Sequence, residues 1–286
     1  MTSARQFHHG QLRLAPHSGR LPRVLPPSLR SLRAAFTFLT RIPVGGFPYR
    51  DDDWRWTMAW FPVIGAMLGA VSALLLVLLR EPLGEGLAAG VMLAVSMLLT
   101  GGFHEDGLAD SADGLGGGYT KERVLEILKD SRIGTFGAAA LMIALFLRGG
   151  ASARLADVGQ GGLLVFGSIV LGQCLSRLFA VLVAWRMPYV TSDAASRSRL
   201  VTRAGKDQAA FAAVSTFAVG LVAIVIGGLG LQELLASVFI GGLTTLCCAW
   251  RFHVRAGGVT GDFLGATQQL SEIAILLTLV GLRSAA

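Results

Sequence analysis

Long apolar runs separated by short polar stretches make up most of this 286-residue chain. A helix needs about 20 apolar residues to cross the hydrocarbon core of a bilayer, and seven runs are candidates, of which the second and third are marginal and the last is short. They are Met58–Leu79, Leu87–Phe103, Gly134–Leu147, Gly161–Ala184, Ala209–Leu231, Leu235–Trp250 and Ile273–Leu282. The runs lack the alternation of barrel strands, and only helices and closed barrels satisfy their backbone polar groups in lipid. The pattern predicts an all-α polytopic membrane protein with about seven transmembrane helices, with six as the alternative.

Composition supports this class. Hydrophobic residues make up 53% of the chain and charged residues 15%, against about 25% charged in soluble domains. The three cysteines lie in apolar runs without metal-ligand or disulfide spacing, so we interpret them as core residues. Residues 1–30 are basic and predicted to be a disordered arm on the anionic cytoplasmic leaflet, a transit peptide being the alternative. Nucleic acid is not expected as a partner, because the arm lacks interleaved aromatic residues. Residues 31–286 are predicted to form one integral-membrane domain.

The distribution of Lys and Arg predicts the orientation. With seven spans, 20 of the 25 basic residues fall on the N-terminal side, in segments 1–57, 104–133, 185–208 and 251–272. Four fall on the opposite side, and Arg177 lies inside a run. Basic loops stay in the cytoplasm, so we expect a cytoplasmic N-terminus. The polar loops whose side chains could take part in a reaction then share the cytoplasmic boundary.

An acidic stretch, "GGFHEDGLADSADGLGGG", follows the second apolar run at residues 101–118. Asp106, Asp110 and Asp113 are spaced i, i+4, i+7, which places them along one face of a helix, with Gly107 and Gly114 beside them. Like charges stacked in this way repel one another, and glycine lets a backbone or bulky ligand approach. A solvated acidic turn, or pairing with nearby arginines, would also suit the composition. We favour a Mg²⁺ site completed by substrate phosphate, because Mg²⁺ takes few carboxylates and keeps the remaining positions for water and phosphate.

Other polar residues near this stretch are less specific. His104 suits a proton carrier or a helix cap better than a Mg²⁺ ligand, and Glu105 points away from the aspartate face. The segment after it is amphipathic and predicted to lie at the interface. It ends in Asp130, Ser131 and Arg132, where a cation, a hydroxyl and a helix N-terminus would seat a phosphate. An ordinary helix boundary explains these three residues nearly as well.

Six blocks together resemble the cobalamin synthase family, the adenosylcobinamide-GDP ribazoletransferases. They are "FLTRIPV" at Phe38–Val44, "WFPVIGAMLG" at Trp60–Gly69, the acidic stretch, "LKDSRIGTFG" at Leu128–Gly137, "LSRLFAV" at Leu175–Val181 and "GGVTGDFLGATQQLSE" at Gly257–Glu272. The resemblance runs from residue 36 to residue 282 and leaves out the basic arm. It implies a Mg²⁺-dependent phosphotransferase that joins adenosylcobinamide-GDP to α-ribazole, or its 5′-phosphate, and releases GMP. A homo-oligomer and association with other enzymes of the pathway stay open.

Residue roles follow from laying this chemistry on the sequence. The expected metal ligands are Asp106, Asp110 and Asp113. One of these aspartates, His104 or Asp130 would receive the proton of the attacking hydroxyl. The expected substrate contacts are Arg132, Ser131, Arg177, Asp262, Gly107 and Gly114, with Arg132 on the leaving phosphate and Asp262 as a further ligand or hydroxyl contact.

Two alternatives remain at this point. "DSADG" at residues 110–114 resembles the opening of the motif of CDP-alcohol phosphotransferases of lipid synthesis, but the Ala-Arg that usually follows there is replaced by Leu-Gly. A secondary transporter is the alternative from another class, since Arg177 lies within a span. Transporters, however, place key charges at the midplane between inverted repeats, and this chain has its acids at a boundary.

Overall fold

The computed structural model describes residues 28–46, 48–158, 161–190, 201 and 204–284. The predicted basic arm lies outside the described residues up to residue 27, and residues 28–30 already belong to the start of the first helix. The helices are α1 (Leu29–Leu39), α2 (Asp51–Arg55), α3 (Phe61–Thr100), α4 (Phe103–Gly117), α5 (Lys121–Ile127), α6 (Thr135–Val158), α7 (Gly162–Arg186), α8 (Lys206–Val225), α9 (Leu231–Ala256) and α10 (Gly261–Ser284). The only β pairing in these residues is an isolated bridge between Tyr189 and Val259. The all-α prediction is confirmed.

Helix α3 doubles back on itself. Gly84 breaks it with φ 74° and ψ 157°, a conformation that glycine adopts without penalty, two residues after Pro82. The ring of Phe38 lies 5.8 Å from that of Phe61 at one end of α3 and 5.3 Å from that of Phe103 just beyond the other end. A straight 40-residue helix would hold these ends roughly 60 Å apart. The two arms of α3 therefore form a helical hairpin with Gly84 at its turn.

Six helices are long and apolar enough to cross a membrane: the stretch of Thr57–Thr100 that contains α3, then α6, α7, α8, α9 and α10. Because α3 is a hairpin, these six helices supply seven apolar segments. The segments run alternately between two ends of the bundle. At the end that holds Gly84, Arg80 donates to the carbonyl of Ala156 at 3.2 Å, and Arg283 donates to that of Gly228 at 3.2 Å. Both predicted counts, seven and six, thus describe the same chain.

Helices α7 and α10 form the centre of the bundle. Within their spanning windows 78% and 72% of residues are buried, against 28% for α6, α8 and α9, whose apolar faces point outward. Small residues allow this close packing. A Cβ at Gly65 of α3 would collide with the carbonyl of Gln173 in α7 and would lie 2.6 Å from Cδ of Arg177. The central helices carry buried polar residues, among them Gln173 and Arg177 in α7 and Gln268, Gln269 and Glu272 in α10.

Candidate active site

A cavity of about 500 Å³ opens at the end of the bundle opposite Gly84. Helices α4 and α5, the N-terminus of α10, the segment after α7 and the side of α1 enclose it. Its lining residues are Phe38, Phe103, Asp106, Glu122, Leu125, Glu126, Leu128, Lys129, Tyr189, Val190, Thr260, Gly261 and Asp262. Acidic side chains outnumber basic ones among them, and an apolar wall faces the carboxylates.

The predicted amphipathic character of α5 explains its place in this wall. Val124 is fully buried, and a Cβ at Gly118 would lie 2.7 Å from its Cγ2 atom. The charged side of α5, with Glu122 and Glu126, lines the cavity. The helix therefore packs its apolar side on the end of α4 and turns its charges toward the site.

Helices α4 and α10 cross at Gly107. A Cβ there would lie 2.9 Å from the carbonyl oxygen of Asp262, and a Cβ at Gly265 would lie 3.5 Å from the Cα of Gly107. This approach brings Asp262 beside Asp106. At Gly114 a Cβ would lie 3.2 Å from Cγ of Leu128 in α5. The prediction that Gly107 and Gly114 contact substrate is therefore corrected: both are buried where helices pack, and their lack of a side chain serves that packing.

Asp110 shows how crowded the negative charge is. Its pKa is raised to about 6, first by burial and then by the charges of Asp106, Asp262 and Asp113. Neither Asp106 nor Asp110 accepts a hydrogen bond or forms an ion pair with any described residue, and Asp262 accepts only from the hydroxyl of Thr260, at 3.3 Å. Carboxylates crowded at this spacing without an ion pair to a described residue favour a bound cation.

Asp113 is used differently. One of its oxygens accepts from the backbone N–H of Gly134 at 2.7 Å, and the other accepts from that of Gly137 at 2.8 Å. A Cβ at either glycine would collide with the carboxylate. Asp113 thus caps the N-terminus of α6, where a negative charge is stabilised by the exposed N–H groups and the helix dipole. The three aspartates share a helix face as predicted, but the third is occupied with holding α6.

The predicted phosphate seat lies apart from the main cavity. Asp130 and Arg132 line a separate, shallow depression together with Asp113 and Thr135. This depression and the main cavity have no lining residue in common. Arg132 binds Asp130 with Nη2 at 2.6 Å from Oδ2, while 86% of its side chain is exposed. These hydrogen bonds lower the pKa of Asp130 to about 2. Ser131 is exposed and lies outside the lining of both cavities. The structure does not bring Arg132 or Asp130 to the lining that Asp106 belongs to.

A buried charge network lies beneath the cavity, and the sequence did not reveal it. Arg148 of α6, 3% exposed, places Nη1 3.0 Å from Glu105 and Nε 2.8 Å from Glu272. Gln269 donates to Glu105 at 3.2 Å, and Gln268 donates to Glu272 at 2.6 Å. Arg148 was counted above among the basic residues of the far side, which is wrong. The signal that could have revealed the pairing is the presence of ionisable residues of both signs next to apolar runs.

His104 and Arg177 also face the interior. His104 is 5% exposed, and its pKa lies well below the ordinary value, chiefly because of burial and then because of Arg177 and Arg148. Its imidazole is therefore neutral near pH 7. Both side chains line a small second cavity below the first. Neither is in the lining of the main cavity, so the predicted proton transfer by His104 and substrate contact by Arg177 would take place in the second cavity.

Two lining residues escaped the sequence reasoning. Thr260 accepts from the backbone N–H of Phe263 at 3.3 Å and so caps α10. Tyr189 is held beside it because Val190 donates to Val259 at 2.8 Å and Val259 donates to Pro188 at 2.9 Å. The bridge joins segments about 70 residues apart in the sequence. The motif "VTGD" drew attention to one of these segments, and no sequence signal pointed to the other.

The residues present fit a divalent cation of the Mg²⁺ type. Among the described residues no three His, Cys, Asp or Glu side chains already converge as a metal-ligand group. Mg²⁺ does not require one, since one or two carboxylates with waters and substrate phosphates suffice. Asp106 and Asp110 have oxygens that no described partner uses, and Asp262 borders the same cavity. The fitting set is therefore Asp106, Asp110 and Asp262, with Asp113 engaged elsewhere.

Comparison with known proteins gives a consistent result. The family model described as cobalamin-5-phosphate synthase matches residues 31–280. Among curated proteins, the chain is 37% identical over 249 residues to an adenosylcobinamide-GDP ribazoletransferase of Shewanella amazonensis, covering 86% of this chain and 93% of that protein. It is 36% identical to the proteins of the same name from Vibrio parahaemolyticus (86% and 90% covered) and Polaromonas sp. (88% and 96% covered). No solved structure matches the chain significantly.

Proposed function

This chain belongs to the cobalamin-5-phosphate synthase family, and we propose that it transfers the adenosylcobinamide-phosphate group from adenosylcobinamide-GDP to α-ribazole, releasing GMP. The observation that carries the proposal is the cluster of Asp106, Asp110 and Asp262, of which Asp106 and Asp262 line a cavity at one end of a membrane-spanning bundle. Acidic residues crowded without an ion pair to any described residue suit a phosphotransferase that works with Mg²⁺. α-Ribazole 5′-phosphate is the alternative acceptor.

The cavity suits an in-line displacement at phosphorus. Mg²⁺, when bound, would neutralise the diphosphate of the donor and the charge that develops on the leaving GMP. Asp106, Asp110 and Asp262 would hold the metal. The chain's own contribution is positioning, because a hydroxyl held in line with the phosphorus needs little further assistance. Tyr189 and Thr260 stand at the cavity wall as hydrogen-bonding partners for the ribose or phosphate.

Deprotonation of the attacking hydroxyl falls to a carboxylate of the same cluster. Asp110, with a pKa of about 6, is a better proton acceptor than an ordinary aspartate while still being mostly ionised at pH 7. His104 is neutral but lines the second cavity, and Asp130 lies in a separate depression. Asp106 and Asp262 line the main cavity and Asp110 neighbours them, so we favour a carboxylate of this cluster over His104 and Asp130 as the general base.

We also propose that the chain lies in the cytoplasmic membrane with its N-terminus and the cavity on the cytoplasmic side. The support is the distribution of basic residues along the sequence, 20 of 25 of which fall in segments 1–57, 104–133, 185–208 and 251–272. This orientation would give the cavity direct access to soluble nucleotides.

The test of the function is GMP release by the chain in membranes or nanodiscs, with adenosylcobinamide-GDP and α-ribazole as substrates. Asp106→Asn, Asp110→Asn and Asp262→Asn should each reduce the rate severely, because each removes a charge and keeps the shape. If they share one ion, a double variant should be little worse than a single one. Higher Mg²⁺, or Mn²⁺, should partly restore at least one single variant.

Asp157→Asn provides the matched control, since Asp157 is exposed at the end of α6 that faces away from the cavity. It should keep the wild-type rate. Near-normal rates for both Asp106→Asn and Asp110→Asn at low Mg²⁺ would show that the metal is held elsewhere. Release of CMP from a CDP-alcohol, in place of GMP from the corrinoid donor, would assign the chain to lipid synthesis.

Orientation is tested by labelling single cysteines in intact cells. Tyr119→Cys, at a side chain 89% exposed beside the cavity, should be protected from an impermeant reagent. Glu85→Cys, at the hairpin turn of α3, should react. Cys247, which is exposed, is first replaced by Ser to remove background. Labelling of Tyr119→Cys from outside would reverse the proposed orientation and place the cavity on the wrong side for cytoplasmic nucleotides.

A further inference from the structure

A second, narrow cavity of about 30 Å³ continues the main cavity toward the centre of the bundle. The two share Phe38, Phe103 and Gly261 in their linings, so these residues lie at the boundary between them, which we call the passage. Beyond the passage the walls are apolar, with Met58, Phe61, Ala180 and Leu264 among them, and Arg177, Gln268 and His104 add polar groups. We call this second cavity the Arg177 slot.

Arg177 is fixed so that part of its guanidinium has no protein partner. Its Nη1 donates to the backbone carbonyl of Gln173 at 2.9 Å and to Oε1 of the same residue at 2.7 Å. Gly65 leaves room for its stem. The side chain is 3% exposed, its Nε has no hydrogen-bond partner, and it forms no ion pair with a described residue. A buried charged donor without a partner is costly, and such residues in membrane-spanning helices mark functional sites.

The charges around the slot favour a neutral group over an anion. Arg177 and Arg148 are two buried positive charges, and Glu105 and Glu272 are two buried negative charges that act on them. The set is therefore balanced. An anion entering this low-dielectric region would leave an uncompensated negative charge, whereas a neutral acceptor satisfies the N–H group of Arg177 without disturbing the balance.

The size of the slot narrows the choice further. A volume of about 30 Å³ exceeds the roughly 10–15 Å³ that one water needs, so the slot admits a slender terminal group and not a fused ring. A primary amide on a short methylene stem has this shape. Its stem would suit the apolar walls, its carbonyl would accept from Arg177, and its NH₂ group would donate to the oxygen of Gln268, which also accepts from Gln269 at 3.1 Å.

We propose that the Arg177 slot binds a neutral amide-terminated side arm of the substrate and thereby fixes the donor with its phosphate at the aspartate cluster. This proposal rests on the proposed function, because the periphery of a corrin ring carries several such amide arms, whereas α-ribazole presents a ring nitrogen in place of an amide. The slot is then a specificity site for amidated corrinoids, set apart from the reacting atoms.

The first measurement is direct binding of adenosylcobinamide, which lacks the nucleotide, to the purified chain in nanodiscs. Arg177→Lys keeps the charge and loses the guanidinium geometry. Loss of a hydrogen bond from a charged donor predicts a Kd increased on the order of tenfold to a hundredfold. A corrinoid whose arms end in carboxylates should bind the wild-type chain more weakly than the amidated ligand.

A second variant guards against misfolding of the first. Ala180→Val fills the slot and leaves all charged side chains in place, and it should raise the Kd for adenosylcobinamide and the donor KM alike. Ala184→Val makes the same change one turn further along α7, at a buried residue outside the slot, and should leave both unchanged. The KM for α-ribazole should stay the same in all three variants.

The outcomes distinguish amide binding in the Arg177 slot from the proposed transferase activity. If folded Arg177→Lys and Ala180→Val bind adenosylcobinamide as tightly as wild type, the slot does not hold an amide arm. If only the KM for α-ribazole rises, the slot serves the acceptor's ring nitrogen and the proposal is wrong. If wild type binds the corrinoid in an Arg177-dependent way but releases no GMP, the slot stands and the proposed transferase activity fails.

Discussion

Replacing Arg148 by Met should destabilise the protein more than any surface substitution. The change removes the positive charge that lies 3.0 Å from Glu105 and 2.8 Å from Glu272, all three side chains being at most 5% exposed. Breaking a buried ion pair by removing one partner costs about 3–5 kcal/mol, and here two carboxylates lose their cation. Gln269 and Gln268 still donate to them and offset part of the loss. We expect a loss of about 3–5 kcal/mol, a large share of the roughly 5–15 kcal/mol typical of whole proteins.

The assay is thermal or denaturant unfolding in detergent micelles, followed by an interior tryptophan signal. Arg123→Met is the matched control, because Arg123 pairs with Glu126 at 2.8 Å with both side chains more than half exposed. An exposed pair contributes about 0–1 kcal/mol, so this variant should unfold almost as wild type does. Adding Glu105→Gln and Glu272→Gln to Arg148→Met should recover part of the lost stability, since no buried charge is then left unpaired.

Two results would contradict the predicted loss of stability. If Arg148→Met unfolds within error of Arg123→Met, the two glutamates are not ionised in the bundle or are reached by water. If the triple variant is less stable than Arg148→Met alone, the network contributes through its hydrogen bonds and not through charge balance.

Three further predictions concern individual residues. Asp113→Asn should destabilise the fold by about 1–3 kcal/mol, measured by unfolding, because it weakens the cap on α6, and extra Mg²⁺ should not restore its stability. Gly65→Ala should prevent stable folding or reduce expression strongly, since its Cβ collides with the backbone of α7, whereas Gly90→Ala, with open space around it, should express normally. The Mg²⁺ concentration for half-maximal activity should rise as the pH falls through about 6. The reason is that Asp110, with its raised pKa, takes up a proton there, and protons then compete with the metal. A half-maximal concentration that is independent of pH between 5 and 8 would contradict this.

Hydropathy located the spanning helices well where they face lipid and poorly where they face one another. The run at Gly134–Leu147 was cut short by Arg148, although α6 continues to Val158. The run at Ile273–Leu282 missed the first half of α10, where Gln268, Gln269 and Glu272 point into the bundle. Polar residues that satisfy one another inside the bundle lower the apparent hydrophobicity of a helix without preventing it from spanning. Their partners lie on other helices, so a single apolar run does not reveal them.

The candidate site was predicted in outline for a similar reason. The spacing of Asp106, Asp110 and Asp113 correctly predicts one helix face, because that is a property of the helix alone. The three aspartates have different surroundings because α6 approaches Asp113 and α10 approaches Asp106. Both approaches depend on glycines of other segments. Gly107 and Gly114 were noticed in the sequence as positions of close approach, but the spacing does not show whether a ligand or a helix approaches.

The buried network and the aspartate cluster are linked by the helices that carry them. Glu105 immediately precedes Asp106 on α4, and Glu272 lies on the same helix as Asp262. Arg148 binds both glutamates, so it fixes how far α4 and α10 can slide past each other. A slip of one helical turn would move Asp262 about 5.4 Å relative to Asp106, which is too far for both to share one Mg²⁺ at ligand distances of about 2 Å. A charge network that faces away from the cavity is therefore placed to determine the spacing of the carboxylates within it.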